Sequence, residues 1–398
     1  MRVTNSRVTN TALNRRFSSS VNDVHSKLNK AMNKISSGRA YEAAAENPLA
    51  YYEGNKLDNK YLELQSQLGV LGDLKHRLEE QENGAYSIQT KLAEAQNKMI
   101  YIRSSSNNEG EQTVETVRQD FLQKSQFMVN CLNGQYEDYY VFGGNDASTT
   151  PFGLSSDAKE LTFNHKFPGD DGVTTMTIKL TGNTGDPEKD LTFESTYTDA
   201  NGNTSAPKTG DAAVEDIMKA MTEQGRVDVG YGNIAKRDTL IDTFTGGLNV
   251  LTGITSDALK EKDSSDPAGA LKEVKEKLYN SPLFLVARAA DACEGLNDGS
   301  LSTGDFDEKM GVLIDQTTTT HSWVGTIYSD LGNKWATMEN LETKHKKTSQ
   351  NLQEEYKDKL GADPYEAITE MFSYQYSYSA ALQIGSRLMQ SSLFDFIR

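Results

Sequence analysis

Residues 57–103 read LDNKYLELQSQLGVLGDLKHRLEEQENGAYSIQTKLAEAQNKMIYIR, and within them Leu57, Leu64, Leu71, Leu78, Ala85, Leu92 and Met99 fall at a strict spacing of seven. A second apolar row runs beside the first. Tyr61 and Leu68 stand four past heptad positions, and Leu74, Ile88, Ala95 and Ile102 stand three past. Two such rows on one helical face form a coiled-coil seam that must be buried against other helices. No proline interrupts the chain between Pro48 and Pro151. At about 1.5 Å per residue a helix over this stretch is expected to reach roughly 70 Å, far beyond the three turns of an ordinary globular helix. The pattern predicts architecture rather than the wall of a pocket.

The far end of the chain supplies a partner. Val324, Leu331, Met338 and Leu352, flanked by Ile327 and Leu341, give a similar period, with Lys334, His345 and Lys359 where the pattern calls for apolar groups. A shallower or interrupted seam is expected there. The first forty residues repeat the period in Phe17, Val24 and Ala31, interleaved with Val21, Leu28 and Ile35. The end of the chain repeats it in Met371, Tyr374, Tyr378, Ala381, Leu382 and Leu388, then crowds Leu393, Phe394, Phe396 and Ile397 into the final six residues. Both termini are predicted amphipathic helices. The second opens on Asp363, Pro364 and Glu366, which supply an N-cap acceptor, a proline at the first helical position and a capping-box carboxylate.

Proline and glycine divide the chain into three. Six of the eight prolines lie between Pro151 and Pro282, so turns concentrate in the middle and long helices occupy the flanks. Within that middle, Met176, Ile178 and Leu180 alternate with polar residues and predict a strand, and Leu161 with Phe163 and Leu191 with Phe193 predict others. From Ala212 the pattern turns helical through Val214, Ile217, Met218 and Met221, then Leu271, Val274 and Leu278, and the run Leu283 to Ala290. The expected fold class is therefore mainly α. The N- and C-terminal regions form a long antiparallel coiled-coil rod, and an α+β domain is inserted between them. The expected divisions are terminal helices over 1–40 and 364–398, a rod over 41–145 and 316–363, and the inserted domain over 146–315.

Composition narrows the function. Mean hydropathy is −0.62, and no apolar run approaches the ~20 residues of a membrane span, so no membrane partner is expected. The basic N-terminus lacks the continuous apolar core and small-residue cleavage site of a secretory signal. The whole chain carries a net charge of −16, yet residues 1–40 hold eight Lys or Arg against Asp23 alone. A basic arm suggests nucleic acid, but Phe17 is its only aromatic residue and base stacking has little to work with, so nucleic acid is not expected either. Cys131 and Cys293 lie in segments of different character and form no metal-like pair.

Catalytic signals are weak. Gly230, Gly232 and Ala235 follow Val227 and Val229 in a glycine-rich turn of the dinucleotide type, but no repeated βαβ pattern surrounds them. His76 with Glu79 and Glu80 sits at solvent positions of the heptad and reads as a charged face rather than a metal site. No P-loop, nucleophile elbow or Cys-His arrangement is present. The sequence predicts no catalytic, cofactor or metal residues, and no enzyme.

Read together, the two ends resemble the flagellin superfamily of bacterial flagellar proteins, over roughly residues 1–145 and 315–398. Ile35-Ser36-Ser37-Gly38-Arg39 is similar to that family's turn between terminal helix and rod. Tyr101-Ile102-Arg103 through Asn108-Glu109-Gly110 is similar to the end of its first rod helix. Val324-Gly325 resembles the return rod, and Asp363 with Ala367 the start of the terminal helix. Four passages resemble the branch that joins hook to filament: Met1-Arg2-Val3-Thr4, Glu46-Asn47-Pro48-Leu49-Ala50, Tyr140-Val141-Phe142-Gly143-Gly144 to Pro151-Phe152, and Ser392-Leu393-Phe394-Asp395-Phe396-Ile397. The chain departs from that branch in carrying Glu46-Asn47 for two aspartates and in ending on Arg398.

The resemblance implies a structural, self-assembling protein of the flagellum, exported unfolded through the flagellar secretion apparatus to the cell exterior without a cleaved signal peptide. It implies a ring of its own copies, another hook-associated protein below, filament flagellin above and an export chaperone before secretion. Assembly contacts are expected at Phe17, Val21, Val24, Leu28, Ile35, Met371, Tyr378, Leu382, Leu388, Leu393, Phe394, Phe396 and Ile397. Filament flagellin itself is the nearest alternative, and an enzyme in the inserted domain a remote one.

Overall fold

A computed structural model describes residues 4–41, 43–104, 110–223, 225–229, 240–242 and 245–396. The protein is mainly α with an α+β part. Contacts divide the chain into two units, Met1–Leu68 with Lys344–Arg398, and Gly69–Thr343.

The first unit contains the terminal helices, α1 (Thr4–Ser37) and a final helix (Pro364–Phe396), together with residues 48–68 of α2 (Pro48–Arg103) and residues 344–360 of the long helix Thr303–Leu360. Here Leu57 and Leu64 of the heptad row are buried. Gln65 Nε2 donates to Ser349 Oγ at 2.9 Å, Gln353 Nε2 donates to Tyr61 Oη at 2.8 Å, and Lys359 pairs with Glu53 at 2.9 Å. Residue numbers that rise on one helix fall on the other, so the two segments run antiparallel. The polar interruptions read in this stretch are absorbed rather than excluded. Of those expected, His345 is buried and Lys359 reaches a carboxylate; Ser349, which the sequence reading did not name, is buried as well.

In the second unit the opening heptad pattern is buried nearly completely. Leu71, Leu78, Ala85, Leu92 and Met99, with Leu74, Ile88, Ala95 and Ile102 from the second row, are all at most 3% exposed. The row has one polar member, Gln81, and it is buried too. Its Nε2 donates to the Val141 carbonyl and, at 2.9 Å, to the Thr245 carbonyl, so both N–H groups of the buried amide find backbone acceptors, while its Oε1 is buried without a hydrogen-bond partner among the described residues. Facing this helix, residues 303–343 bury Phe306, Met310, Leu313, Val324, Ile327, Leu331 and Met338. Gln96 Nε2 donates to the Ile314 carbonyl at 3.1 Å, and the Tyr86 and Tyr328 rings lie 5.6 Å apart, again in antiparallel order. The long C-terminal helix begins at Thr303, where Ser302 Oγ accepts from the Asp305 amide at 3.2 Å. Helices α3 (Glu111–Leu132) and Pro282–Asn297 pack together beside these segments.

The α+β part is built on a five-stranded antiparallel sheet, in order β3 (Phe152–Leu154), β4 (Glu160–His165), β5 (Val173–Leu180), β6 (Leu191–Thr198) and β7 (Lys208–Thr209). Strand alternation behaves as the sequence predicts. Leu161, Phe163, Met176, Ile178, Leu180, Leu191 and Phe193 are buried, while Lys179 between two of them is exposed. Register places Leu161 opposite Ile178 and Ile178 opposite Phe193, so the apolar residues stack across strands on one face. One-turn α4 (Pro187–Asp190) precedes β6, and α5 (Asp211–Thr222) covers the sheet with Val214, Ile217, Met218 and Met221. Two ribbons complete the β content, β1 (Gln135–Tyr136) with β2 (Tyr139–Tyr140), and β8 (Arg226–Asp228) with β9 (Leu240–Asp242). Short helices α6 (Gly247–Thr252), α7 (Ser256–Ser265) and α8 (Pro267–Tyr279) lead into α9 (Pro282–Asn297), α10 (Thr303–Leu360) and α11 (Pro364–Phe396).

Candidate assembly surface

The terminal helices α1 and α11 pack against each other as an antiparallel pair. Lys34 reaches Glu370 at 3.0 Å, and the His25 ring lies 5.2 Å from that of Tyr378. The turn read at Ser36-Ser37-Gly38-Arg39 ends α1. Gly38 takes φ +67°, a left-handed value that favours glycine. Its carbonyl accepts from the Ala362 amide at 2.9 Å, and the Ala40 amide donates to the Leu360 carbonyl at 2.7 Å. This short antiparallel bridge fixes where the two helices start to diverge from their connecting segments. Asp363 caps α11, its Oδ1 accepting from the Tyr365 amide at 2.8 Å and the Glu366 amide at 3.4 Å. Electrostatics add little here. The side-chain hydrogen bond to Glu53, then its charge, raises the Lys359 ammonium above its ordinary value, and Asp23 does the same for Lys27.

Of the expected contact residues, Phe17, Val21, Val24 and Leu28 are half-buried on α1, on the stripe that ends at buried Ala31. Met371 and Tyr378 are half-buried on α11, following buried Ala367. Of these, Tyr378 lies against the His25 ring of the partner helix. Ile35 and Leu382 are exposed. Leu388, Leu393, Phe394 and Phe396 belong to the described backbone of α11, but their side chains lie outside the described residues, as does Ile397 altogether. Met1, Val3, Asn108, Glu109 and Arg398, which carry parts of the resemblance, also lie outside them.

A second apolar stripe was not singled out in the sequence. Tyr365, Ile368, Phe372 and Tyr376 stand at spacings of three, four and four, with Phe372 60% and Tyr376 79% exposed. Ile384 farther along α11 and Met32 on α1 are exposed as well. A single partner helix covers only one stripe of about 100°, so a helix apolar on two faces leaves the other uncovered. Three-four spacing of these apolar residues is the signal that identifies this face.

The catalytic alternatives gain no geometry. His76 Nδ1 lies 3.7 Å from Glu79, both side chains are well exposed, and the imidazole stacks on Tyr136. Among the described residues no group of three or more His, Cys, Asp or Glu is placed to hold a metal. Gly230, Gly232 and Ala235 lie outside the described residues, and β8 before them pairs antiparallel with β9, whereas a dinucleotide turn needs a parallel strand–helix unit. Cys131 and Cys293 are both free. Burial raises the Cys131 thiol and pushes that of Cys293 up to about 12, which suppresses the nucleophilic thiolate. Among the described residues no helix is long and apolar enough to cross a membrane.

No protein-family model matches the chain, and no curated protein does. Among solved structures the chain is similar to flagellar hook-associated proteins. One described as a flagellar hook-associated protein from Vibrio parahaemolyticus is 13% identical, with a TM-score of 0.46, over 79% of this chain and 100% of that one. FlgL of Bacillus cereus is 12% identical, with a TM-score of 0.36, over 78% and 100%. FlgL of Xanthomonas campestris is 11% identical, with a TM-score of 0.23, over 73% and 99%.

Proposed function

We propose that this protein is a structural, self-associating component of the bacterial flagellum that joins hook to filament. The supporting observation is the uncovered apolar face of the terminal pair, on Tyr365, Phe372 and Tyr376. Each large apolar side chain contributes roughly 1.5–3 kcal/mol when fully buried, so a few of them covered by neighbouring copies drive assembly without any catalytic group. The motifs at both ends support the flagellar reading, and the Pro48 and Phe142-Gly143 passages support the junction branch. In this reading α2 and α10 form an antiparallel coiled-coil rod, and α1 with α11 forms the inner wall of a ring of copies. The assembly contacts are Phe17, Val21, Val24, Leu28 and Ile35 on α1 and Met371, Tyr378, Leu382, Leu388, Leu393, Phe394, Phe396 and Ile397 at the end of the chain, joined by the exposed face of Tyr365, Phe372 and Tyr376. A second hook-associated protein lies below, flagellin polymerises above, and a chaperone holds the C-terminal helix before export to the cell exterior.

A strain carrying Phe372→Ser with Tyr376→Ser tests this. Both side chains are mostly exposed in the single chain, so melting of the purified protein is expected to shift by less than about 1 kcal/mol equivalent. Microscopy is expected to show hooks without filaments, and flagellin is expected in the medium. Normal filaments on the variant overturn the assembly role of this face. Normal filaments in a strain lacking the gene overturn the junction reading, and self-polymerisation into long filaments favours flagellin itself.

A further inference from the structure

The α+β part holds a buried cation beside a cavity. Arg288 of α9 sits within the apolar run Leu283 to Ala290 and is 3% exposed. Its Nε donates to Asn183 Oδ1 at 3.0 Å and its Nη1 to Asn280 Oδ1 at 3.5 Å, both neutral amide oxygens. One face of the guanidinium is covered by the Tyr279 ring, whose centroid is 4.0 Å from Cζ. Among the described residues Arg288 forms no ion pair. A guanidinium has five N–H donors in a rigid fork, and these two bonds leave the Nη2 edge unspent.

Asp190, a carboxylate that acts on Arg288 electrostatically, is otherwise engaged. It accepts from Tyr279 Oη at 2.6 Å, from the Thr184 amide and hydroxyl at 2.7 and 2.8 Å, and from the Gly185 amide at 2.9 Å. Burial alone would raise this carboxyl, but those donors outweigh it and hold the carboxyl below its ordinary value. Burial likewise lowers the Arg288 pKa, with Tyr279 and Asp190 offsetting only part of the cost. A buried charge whose donors lack a negative partner is costly to keep.

Arg288 lines a cavity of about 350 Å³ whose apolar wall is Leu301, Val312 and Leu313. The volume lies in the range of small-ligand sites. The lining also includes Glu308, Lys309 and Asp305, whose carboxylate accepts from Ser302 Oγ at 2.6 Å. We propose that this cavity binds a small organic carboxylate, with the head group taken by the free edge of Arg288 and a short apolar body lying on Leu301, Val312 and Leu313. A planar carboxylate matches the guanidinium fork, and Arg288 itself has no carboxylate within ion-pair distance among the described residues.

Isothermal titration of the full chain with sodium benzoate and with benzamide, its neutral isostere, tests the proposal. Saturable one-to-one binding of benzoate is expected, with benzamide at least about tenfold weaker because it cannot pair with the cation. Val312 stands on the rim and is 48% exposed, so Val312→Trp is expected to fill the cavity, abolish the benzoate heat and leave the melting temperature unchanged. Arg288→Lys is expected to weaken benzoate at least about tenfold while leaving benzamide unaffected. Equal binding of the two probes, benzoate binding that survives Val312→Trp, or no benzoate binding up to about 20 mM each overturns the site.

Discussion

Two glycines of α2 face opposite fates on mutation to alanine, although a helix-propensity argument treats them alike. In a helix interior alanine is about 1 kcal/mol better than glycine. A Cβ built on Gly72 meets nothing within 4 Å, so Gly72→Ala is expected to gain that full amount. A Cβ on Gly84 falls 2.6 Å from Phe142 Cε2 and 3.0 Å from Cζ, and Phe142 is fully buried. The ring cannot swing into solvent, so it must shift within a packed core at an overpacking cost of about 1–3 kcal/mol. Net, Gly84→Ala is expected to be between neutral and about 2 kcal/mol destabilising. For a unit of this size 1 kcal/mol corresponds to about 2–4 °C. Calorimetry of the purified chain therefore should show Gly72→Ala melting about 2–4 °C higher and Gly84→Ala unchanged or up to about 8 °C lower. Phe142→Leu combined with Gly84→Ala should show favourable coupling, because the smaller side chain relieves the collision. If Gly84→Ala stabilises as much as Gly72→Ala, the close approach of α2 to the Phe142 turn is wrong.

Leu78→Asp places a charge in a fully buried row and is expected to cost several kcal/mol, whereas Glu79→Ala on the exposed face should stay within about 0.5 kcal/mol; similar thermal shifts for both would refute the assignment of faces. His165 is buried between the Phe163 and Phe167 rings, and burial lowers its pKa while Asp146 and the Gly143 backbone offset part of that and Lys219 adds to it. The unfolded chain therefore takes up a proton on this imidazole before the folded one does. His165 stability is fully present above the unfolded pKa of about 6.5 and is lost as pH falls through the folded value. Melting curves between pH 7.5 and 5 should show a slope that His165→Phe reduces; an unchanged slope contradicts the assignment. Hydrogen exchange of the purified single chain should be fast before about residue 40 and after about residue 365, since each terminal helix has one covered stripe; strong protection there would show that the pair is stable without neighbours.

The sequence by itself determined the elements. Sevenfold spacing from Leu57 to Met99 specified the buried face of α2, because only one stripe of a helix can face a partner. Twofold alternation located β4, β5 and β6, and Asp363-Pro364 located the start of α11, because strand faces and helix caps are set by residues near in the chain. Tertiary structure alone decided what becomes of polar groups inside those patterns. Gln81 breaks an apolar row yet is fully buried, since carbonyls of Val141 and Thr245, 60 and 164 residues away, accept from it. Arg288 lies in an apolar run and is buried against Tyr279, Asn183 and a cavity that no spacing rule reveals. The candidate assembly surface divides the same way. Its inner stripe, from Phe17 to Leu28 and through Met371 and Tyr378, was legible as periodicity. Exposure of Tyr365, Phe372 and Tyr376 was not, because a residue is left uncovered only when every neighbouring element has been placed and none reaches it.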